Sequence, residues 1–127
     1  MANKVGLKKV VEKMNLKNLT PDVDLTEKKV EVPDINRPAL QLTGFFEHFD
    51  SERVQIIGYV EYTFLETMDE KTKEETYETL LSYQIPCIIF CRNLPPEPML
   101  LEKATRANIP VFITEKQTSE FTAEIIR

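Results

Sequence analysis

The sequence has few of the residues on which phosphate binding, metal binding and proton transfer depend. Its 127 residues include three glycines, two cysteines, one histidine and no tryptophan. The glycines are Gly6, Gly44 and Gly58, so no glycine-rich loop of the G-x-x-x-x-G-K-[ST] type is present to cradle a nucleotide phosphate. Two cysteines and one distant histidine leave a tetrahedral zinc site short of ligands. We therefore predict no cofactor and no metal in this chain.

Basic charge and long apolar runs are scarce as well. The chain carries 16 Lys and Arg against 21 Asp and Glu, for a net charge of -5, which disfavours binding to a phosphate backbone. No run approaches the ~18 apolar residues that a membrane span requires. The amino terminus, MANKVGLKKVVEKM, lacks the apolar core of a signal peptide. We predict a cytoplasmic protein that binds neither nucleic acid nor membrane.

The titratable side chains offer little support for catalysis. Cys87 and Cys91 lie four residues apart in one apparent strand, about 13 Å at ~3.3 Å per residue, whereas a disulfide needs less than ~7 Å. Such thiols are typical of a reducing compartment. His48 has no acid-base partner at a recognisable spacing, and we expect it to cover apolar surface at a loop edge. An enzyme using Cys91 as a nucleophile is a third hypothesis.

What is present indicates an α/β fold in one domain covering residues 1–127. Residues 85–90 and 109–114 are short and almost wholly apolar, each follows a helical pattern, and a proline stands second in each. Continuous apolar strands alternating with helices favour a sheet buried on both faces, and hence parallel strands. A helix over 99–107 joins them, with Asn108 as its left-handed stop. We predict a small three-layer domain with a mostly parallel sheet flanked by helices.

The remaining elements are predicted from local pattern. Leu7, Val10, Val11 and Met14 fall at helical spacing and indicate a first helix of about three turns that follows an Asn3 cap and ends near Asn15. Helices are also predicted over 69–83 and 118–127, with a helical turn at 62–66. Alternation and β-branched runs indicate strands near 29–32 and 54–57, and residues 16–19 are expected to be extended.

Residues 32–58, VPDINRPALQLTGFFEHFDSERVQIIG, follow no simple amphipathic rhythm. The segment resembles the amino-terminal domain of bacterial HPr kinase/phosphorylase, whose pattern is INRPGLQLAGYF…SERIQ-IG. The matching residues are Asp34-Ile35-Asn36-Arg37-Pro38, Leu40-Gln41-Leu42, Gly44-Phe45-Phe46 and Ser51-Glu52-Arg53. This chain has Ala39 where the family usually has glycine, and Tyr59-Val60 where Lys-Thr is commoner.

The resemblance implies the fold of the amino-terminal domain of certain Mur ligases, and a catalytic domain elsewhere. The family's phosphate loop, with its ATP and magnesium, belongs to a carboxy-terminal domain that the resemblance does not reach. The chain is therefore expected to be the amino-terminal domain without its catalytic half. Its expected partners are that catalytic domain, HPr, or a second copy of the chain.

Five residues are the candidate interaction or ligand residues: Asn36, Arg37, Gln41, Arg53 and Arg92. A guanidinium can grip a carboxylate or phosphate through two parallel hydrogen bonds. The structural alternative is that Arg37 and Arg53 pair with local acids such as Asp34 or Glu52. The nearby aromatics Phe45, Phe46, Phe49 and Tyr59 are expected to be part buried and part exposed.

Two functions from different classes follow. The first is a non-catalytic regulatory or architectural domain of an HPr kinase/phosphorylase, an enzyme that phosphorylates and dephosphorylates a serine of HPr. The alternative is a sensor that binds a phosphorylated metabolite near Arg37, Arg53 and Arg92.

Overall fold

The computed structural model describes residues 4–31 and 35–125, with the backbone alone for Lys4, Glu31 and Ile125. Along the chain the elements are β1 (Lys4–Gly6), α1 (Leu7–Lys13), β2 (Lys17–Asn18), β3 (Lys29–Glu31), β4 (Ile35–Asn36), α2 (Ala39–Leu42), β5 (Val54–Ile57), α3 (Tyr59–Glu66), α4 (Glu70–Leu81), β6 (Ile88–Phe90), α5 (Pro98–Arg106), β7 (Val111–Ile113) and α6 (Thr118–Ile125).

The main sheet of the described residues has the strand order β2-β7-β6-β5-β4. Strands β4, β5, β6 and β7 are parallel, with Ile56 opposite Ile89 and Ile89 opposite Phe112. Strand β2 runs antiparallel to β7, with Lys17 opposite Ile113. The predicted mostly parallel sheet is confirmed. A separate antiparallel pair of β1 and β3 was not predicted.

Alternate residues of the central strands pack on opposite faces of the sheet, as expected for continuous apolar strands. Ile56, Ile89 and Phe112 belong to one core with residues of α1 and α6, and both cysteines lie in this core. Ile57, Ile88, Phe90 and Val111 belong to the opposite core, together with residues of α2, α3, α4 and α5. The predicted three-layer arrangement is confirmed. Both cysteines are free, in agreement with the strand-spacing argument.

Local signals explain where the helices begin and end. Asp69 caps α4 by accepting a hydrogen bond from the Thr72 backbone N–H at 2.7 Å. Pro98 opens α5, where a missing N–H costs nothing. Asn108, with φ of 61°, ends that helix in the left-handed conformation, which confirms the predicted stop. Helix α3 begins at Tyr59, so the helical turn predicted at 62–66 is too short.

Some predicted boundaries fall outside the described residues: the Asn3 cap, Val32 at the end of the predicted strand, and the last two residues of the final helix. Within the described part, α1 begins directly after Gly6, which has no side chain to cap the helix.

Helices α4 and α5 are joined by an ion pair between Lys73 and Glu97. The Lys73 side chain is 8% exposed, although the residue lies in a highly charged stretch. The hydrogen bond that Lys73 donates to the Glu97 carboxylate raises the pKa of Lys73, against an opposing effect of burial. No described helix is long and apolar enough to cross a membrane.

Candidate functional site at the carboxyl edge of the sheet

The four parallel strands end at one edge of the sheet, which brings together segments that are distant in sequence. Arg37 follows β4, Gly58 follows β5, Cys91 and Arg92 follow β6, and Thr114 follows β7. In open α/β sheets ligands bind outside the carboxyl ends of the strands. We call this region the carboxyl edge.

Asn36 and Gln41, two of the predicted site residues, belong to a buried amide network centred on Gln55. The Gln55 side chain is fully buried and donates to the backbone carbonyls of Asp50 and Arg53 at 3.1 and 2.8 Å. Its oxygen accepts a 2.8 Å hydrogen bond from the Asn36 amide. A longer contact of 3.5 Å joins Asn36 to Gln41. The network satisfies buried polar groups and ties the loop before β5 to β4.

Arg37 pairs with Glu61, an acid 24 residues away in the first turn of α3. The Nη2–Oε1 distance is 2.8 Å, and the same carboxylate oxygen accepts from the Gly58 backbone N–H at 2.7 Å. The Glu61 side chain is 3% exposed, whereas that of Arg37 is 42% exposed. A carboxylate at a helix N-terminus also meets the favourable end of the helix dipole. The pairing of Arg37 with Glu52 is therefore wrong, and Asp34 lies outside the described residues.

Gly58 allows these groups to converge. A Cβ atom at this position would lie 2.4 Å from Thr118 Oγ1 and 2.7 Å from Arg37 Nη2, closer than real Cβ contacts come. Its φ of -103° is accessible to any residue, so space and not conformation requires glycine here. Helix α6 therefore starts directly beside the start of α3.

Cys91 lies under this convergence point. Burial raises the pKa of its thiol, against smaller lowering effects of the Thr118 side chain and Arg37. Thr118 Oγ1 is buried and forms no hydrogen bond of ordinary geometry within the described residues. The nearby sulfur is a weak acceptor. Since the thiolate is the reactive form, Cys91 is a poor nucleophile at neutral pH.

Arg92 and Asn93 form a left-handed turn, with φ of 58° and 54°. Their backbone N–H groups donate to the carbonyls of Lys116 at 2.9 Å and Thr114 at 2.8 Å. The turn therefore fixes the loop after β6 against the loop after β7. The Arg92 side chain is exposed, and among the described residues it has no hydrogen bond or ion pair.

Arg53 lies at the opposite edge, because it precedes β5 whereas Arg37 follows β4. Arg53 Nη1 is 3.7 Å from Asp50 Oδ2. The structure therefore brings Arg37 and Arg92 to one edge and leaves Arg53 at the other. The prediction of a local acid holds for Arg53, although the acid is Asp50 and not Glu52.

The aromatic residues divide as the sequence predicted. Phe46 and Phe49 are half-buried and pack with Tyr83, with ring centroids 5.1–5.6 Å apart. Phe45 and Tyr59 are 47% and 61% exposed. His48 is also exposed, at 89% of its side chain, so the prediction that it covers apolar surface is wrong.

Sequence reasoning missed Gly58, Glu61 and Thr118. The Gly58-x-x-Glu61 spacing is one half of a capping box, in which the N3 side chain accepts from the N-cap backbone, and this signal was available. Nothing local to Thr118 predicts that α6 packs beside α3. Within residues 4–31 and 35–125, no group of three His, Cys, Asp or Glu side chains could hold a metal ion.

These features define a small α/β domain in which Asn36, Arg37 and Gln41 of the 32–58 segment make internal contacts. Residues 5–127 match the family described as the HPr Serine kinase N terminus, and the chain belongs to that family.

Curated relatives of this chain carry the name HPr kinase/phosphorylase. The HPr kinase/phosphorylase of Lachnoclostridium phytofermentans is 49% identical over 123 residues, covering 97% of this chain and 40% of that protein. The HPr kinase/phosphorylase of Caldicellulosiruptor bescii is 39% identical, and the match covers 89% of this chain and 36% of that protein. That of Alkaliphilus metalliredigens is 35% identical, and the match covers 96% of this chain and 39% of that protein. The chain thus spans about two fifths of these relatives.

One solved structure has a similar fold, with a TM-score of 0.61 over 95% of this chain and 45% of that chain, at 15% identity. It contains the CBS and DRTGG domains of the regulatory region of Clostridium perfringens pyrophosphatase, complexed with the activator diadenosine tetraphosphate.

Proposed function

We propose that this chain acts as the non-catalytic, regulatory or architectural domain of an HPr kinase/phosphorylase. The observation that carries the proposal is its family, because residues 5–127 match the kinase amino terminus while the chain spans only 36–40% of these relatives. The catalytic work, with ATP and magnesium, then belongs to the rest of the parent protein. The parent would phosphorylate and dephosphorylate a serine of HPr in the cytoplasm.

The internal use of the family segment supports an architectural role. Asn36 is engaged with the buried Gln55, and Arg37 with the buried Glu61. The first interaction links β4 to β5, and the second links the end of β4 to the start of α3. Truncating either residue would therefore destabilise the fold, whether or not it affected any chemistry. The partner we propose is the catalytic domain of the same protein, with HPr and self-association as further partners.

The test is phosphotransfer by this chain alone. We expect no phosphoserine on HPr after incubation of the 127-residue chain with HPr, ATP and magnesium, measured by mass spectrometry. A full-length HPr kinase/phosphorylase from one of the relatives serves as the positive control. Transfer by the isolated chain at a rate comparable with that control would overturn the proposal.

A second candidate function is a sensor of a phosphorylated metabolite at Arg37 and Arg92. It is favoured by the exposed Arg92, which has no partner among the described residues, and by the 42% exposure of Arg37 at the same edge. The similar fold within a regulatory region that binds diadenosine tetraphosphate is in keeping with it. Titration with nucleotides should then shift the amides of Arg37 and Arg92 saturably, and silence at both would count against a sensor.

A further inference from the structure

A cavity of about 220 Å³ lies at the carboxyl end of β7, and neither Arg37 nor its partner Glu61 lines it. The lining residues that matter here are Asn15, Lys17, Asn93, Thr114, Glu115 and Lys116. They meet because β2 runs antiparallel to β7, so that the turn after α1 faces the loops that follow β6 and β7.

The walls of the cavity are held by backbone hydrogen bonds. The left-handed Arg92-Asn93 turn is bonded to the carbonyls of Lys116 and Thr114 at 2.9 and 2.8 Å. On the opposite wall Asn15 is also left-handed, with φ of 54°, and its N–H donates to the Glu12 carbonyl at 3.2 Å. A ligand would therefore meet a largely preformed site.

Hydrogen-bond donors in this cavity are unused. The Lys17 ammonium and the carboxamides of Asn15 and Asn93 are exposed and form no hydrogen bond or ion pair within the described part of the chain. Lys116 Nζ is 3.5 Å from Glu124 Oε1, a distance that leaves its other protons free to donate. Four donor groups around one small cavity suit a ligand that only accepts hydrogen bonds.

The charges favour the same ligand with one exception. Lys17 and Lys116 provide two positive charges in the lining, against the carboxylate of Glu115. Glu124, outside the lining, lies 3.5 Å from Lys116 and offsets part of its charge. The lining itself carries a net charge of +1, in a chain whose net charge is -5. Glu115 lines the cavity and opposes an anion, so it provides a way to test the sign of the interaction.

We infer that this cavity binds a compact oxyanion of the phosphate class, held by Lys17, Lys116 and the carboxamides of Asn15 and Asn93. The site differs from the sensor site proposed at Arg37 and Arg92, and it does not depend on the domain being attached to a kinase. A phosphate monoester could enter by the open side and place its phosphoryl group among these donors.

The experiment is an amide NMR titration of the intact chain with inorganic phosphate at constant ionic strength, with chloride as the exchanged anion. We expect saturable shifts that cluster at residues 15, 17, 93 and 116. Lys17→Glu should weaken binding about tenfold, and Glu115→Gln should tighten it about threefold, as one or two unit charges at short range require. Lys71→Glu, an equal charge change on the exposed surface of α4, should leave the affinity unchanged.

The gain in Glu115→Gln cannot arise from partial unfolding, so the proposal remains testable if Lys17→Glu is destabilised. Non-saturating shifts, or equal losses in Lys17→Glu and Lys71→Glu, would overturn the site. Shifts confined to Arg37 and its neighbours would overturn it too, while supporting the arginine sensor.

Discussion

At the scale of single residues, Gly58 is the position where three elements of the fold come closest together. The backbone after β5, the Arg37 guanidinium after β4 and the Thr118 hydroxyl at the start of α6 meet where a side chain would stand. Glu61 completes the contact by accepting from both Gly58 and Arg37. These are tertiary contacts, so a one-residue change acts on several elements at once.

Gly58→Ala should therefore lower the free energy of unfolding by about 1–3 kcal/mol, the usual cost of overpacking. Gly6→Ala is the matched control, because a Cβ there meets nothing within 4 Å and should change stability by less than about 0.5 kcal/mol. Urea unfolding measures both. Equal stability of the two variants would contradict the close approach at Gly58.

Removing Arg37 should leave a buried carboxylate without its cation. Because Glu61 is 3% exposed and Arg37 is 42% exposed, we expect Arg37→Met to cost about 1–3 kcal/mol, less than a fully buried pair. Arg106→Met breaks a pair with Glu102 that is 73% and 69% exposed, and should cost less than about 1 kcal/mol. A larger loss in Arg106→Met than in Arg37→Met would refute a structural role for Arg37.

The buried thiol of Cys87 should make the chain sensitive to alkali. Burial raises the pKa of Cys87 from 9.0 to about 12, so between these values the folded chain retains a proton that the unfolded chain has released. The free energy of unfolding should thus fall as pH rises above 9, by at most ~1.4 kcal/mol per unit. Below pH 9 this contribution is fully present.

Urea unfolding from pH 8 to 10 under reducing conditions gives the measurement. Cys87→Ala should flatten the decline of stability with pH, even though it loses packing at every pH. An unchanged slope in that variant would assign the alkaline loss to other groups.

At the scale of secondary-structure elements, the pattern of apolar residues predicted most of the helices and strands. Strand β5 was expected over the residues it occupies, and the buried strands β6 and β7 were expected from their apolar runs. Residues 16–19 were expected to be extended, as β2 is, but its antiparallel pairing with β7 was not predicted, because Lys17 and Asn18 do not by themselves indicate a partner. Pairing of such a short segment is decided by the strand beside it.

Of the left-handed turns, one was predicted from local sequence and another was not. Asn108 was predicted as a helix stop because asparagine after a helix often adopts positive φ, whereas Arg92 carries no such signal. The two bonds to the loop after β7 hold the Arg92-Asn93 turn, and they join residues distant in sequence. Likewise the Arg37 partner was sought among neighbouring acids and lies 24 residues away.

Substitutions of Asn108 test the helix stop. Asn108→Ala should cost about 1 kcal/mol because alanine disfavours positive φ, and Asn108→Gly should be neutral or stabilising. The Lys28 ammonium donates to the backbone carbonyl of Asn108, a bond that both variants keep. Thermal unfolding should rank glycine at or above asparagine, with alanine lowest. Alanine equal to glycine would exclude a left-handed stop at this position.

At the scale of the whole molecule, two cores on opposite faces of one sheet account for the fold. The described part of the family segment, residues 35–58, supplies β4, α2 and β5, with Asn36 bonded to Gln55 and Arg37 to Glu61. From the sequence, this segment was predicted to identify the family, and five residues in and beyond it were predicted to bind a ligand or partner. The structure gives four of them, Asn36, Arg37, Gln41 and Arg53, internal contacts, and leaves Arg92 exposed. The likeness to Mur ligases and the single domain over residues 1–127 stay predictions.

The central claim is that these internal contacts build one self-contained domain. Urea unfolding of the 127-residue chain, followed in parallel by far-UV circular dichroism and tyrosine fluorescence, tests it most directly. We predict one cooperative transition with coincident midpoints and an m-value of about 1–3 kcal/mol/M. Separate midpoints for the two probes, or the absence of a cooperative transition, would contradict the account.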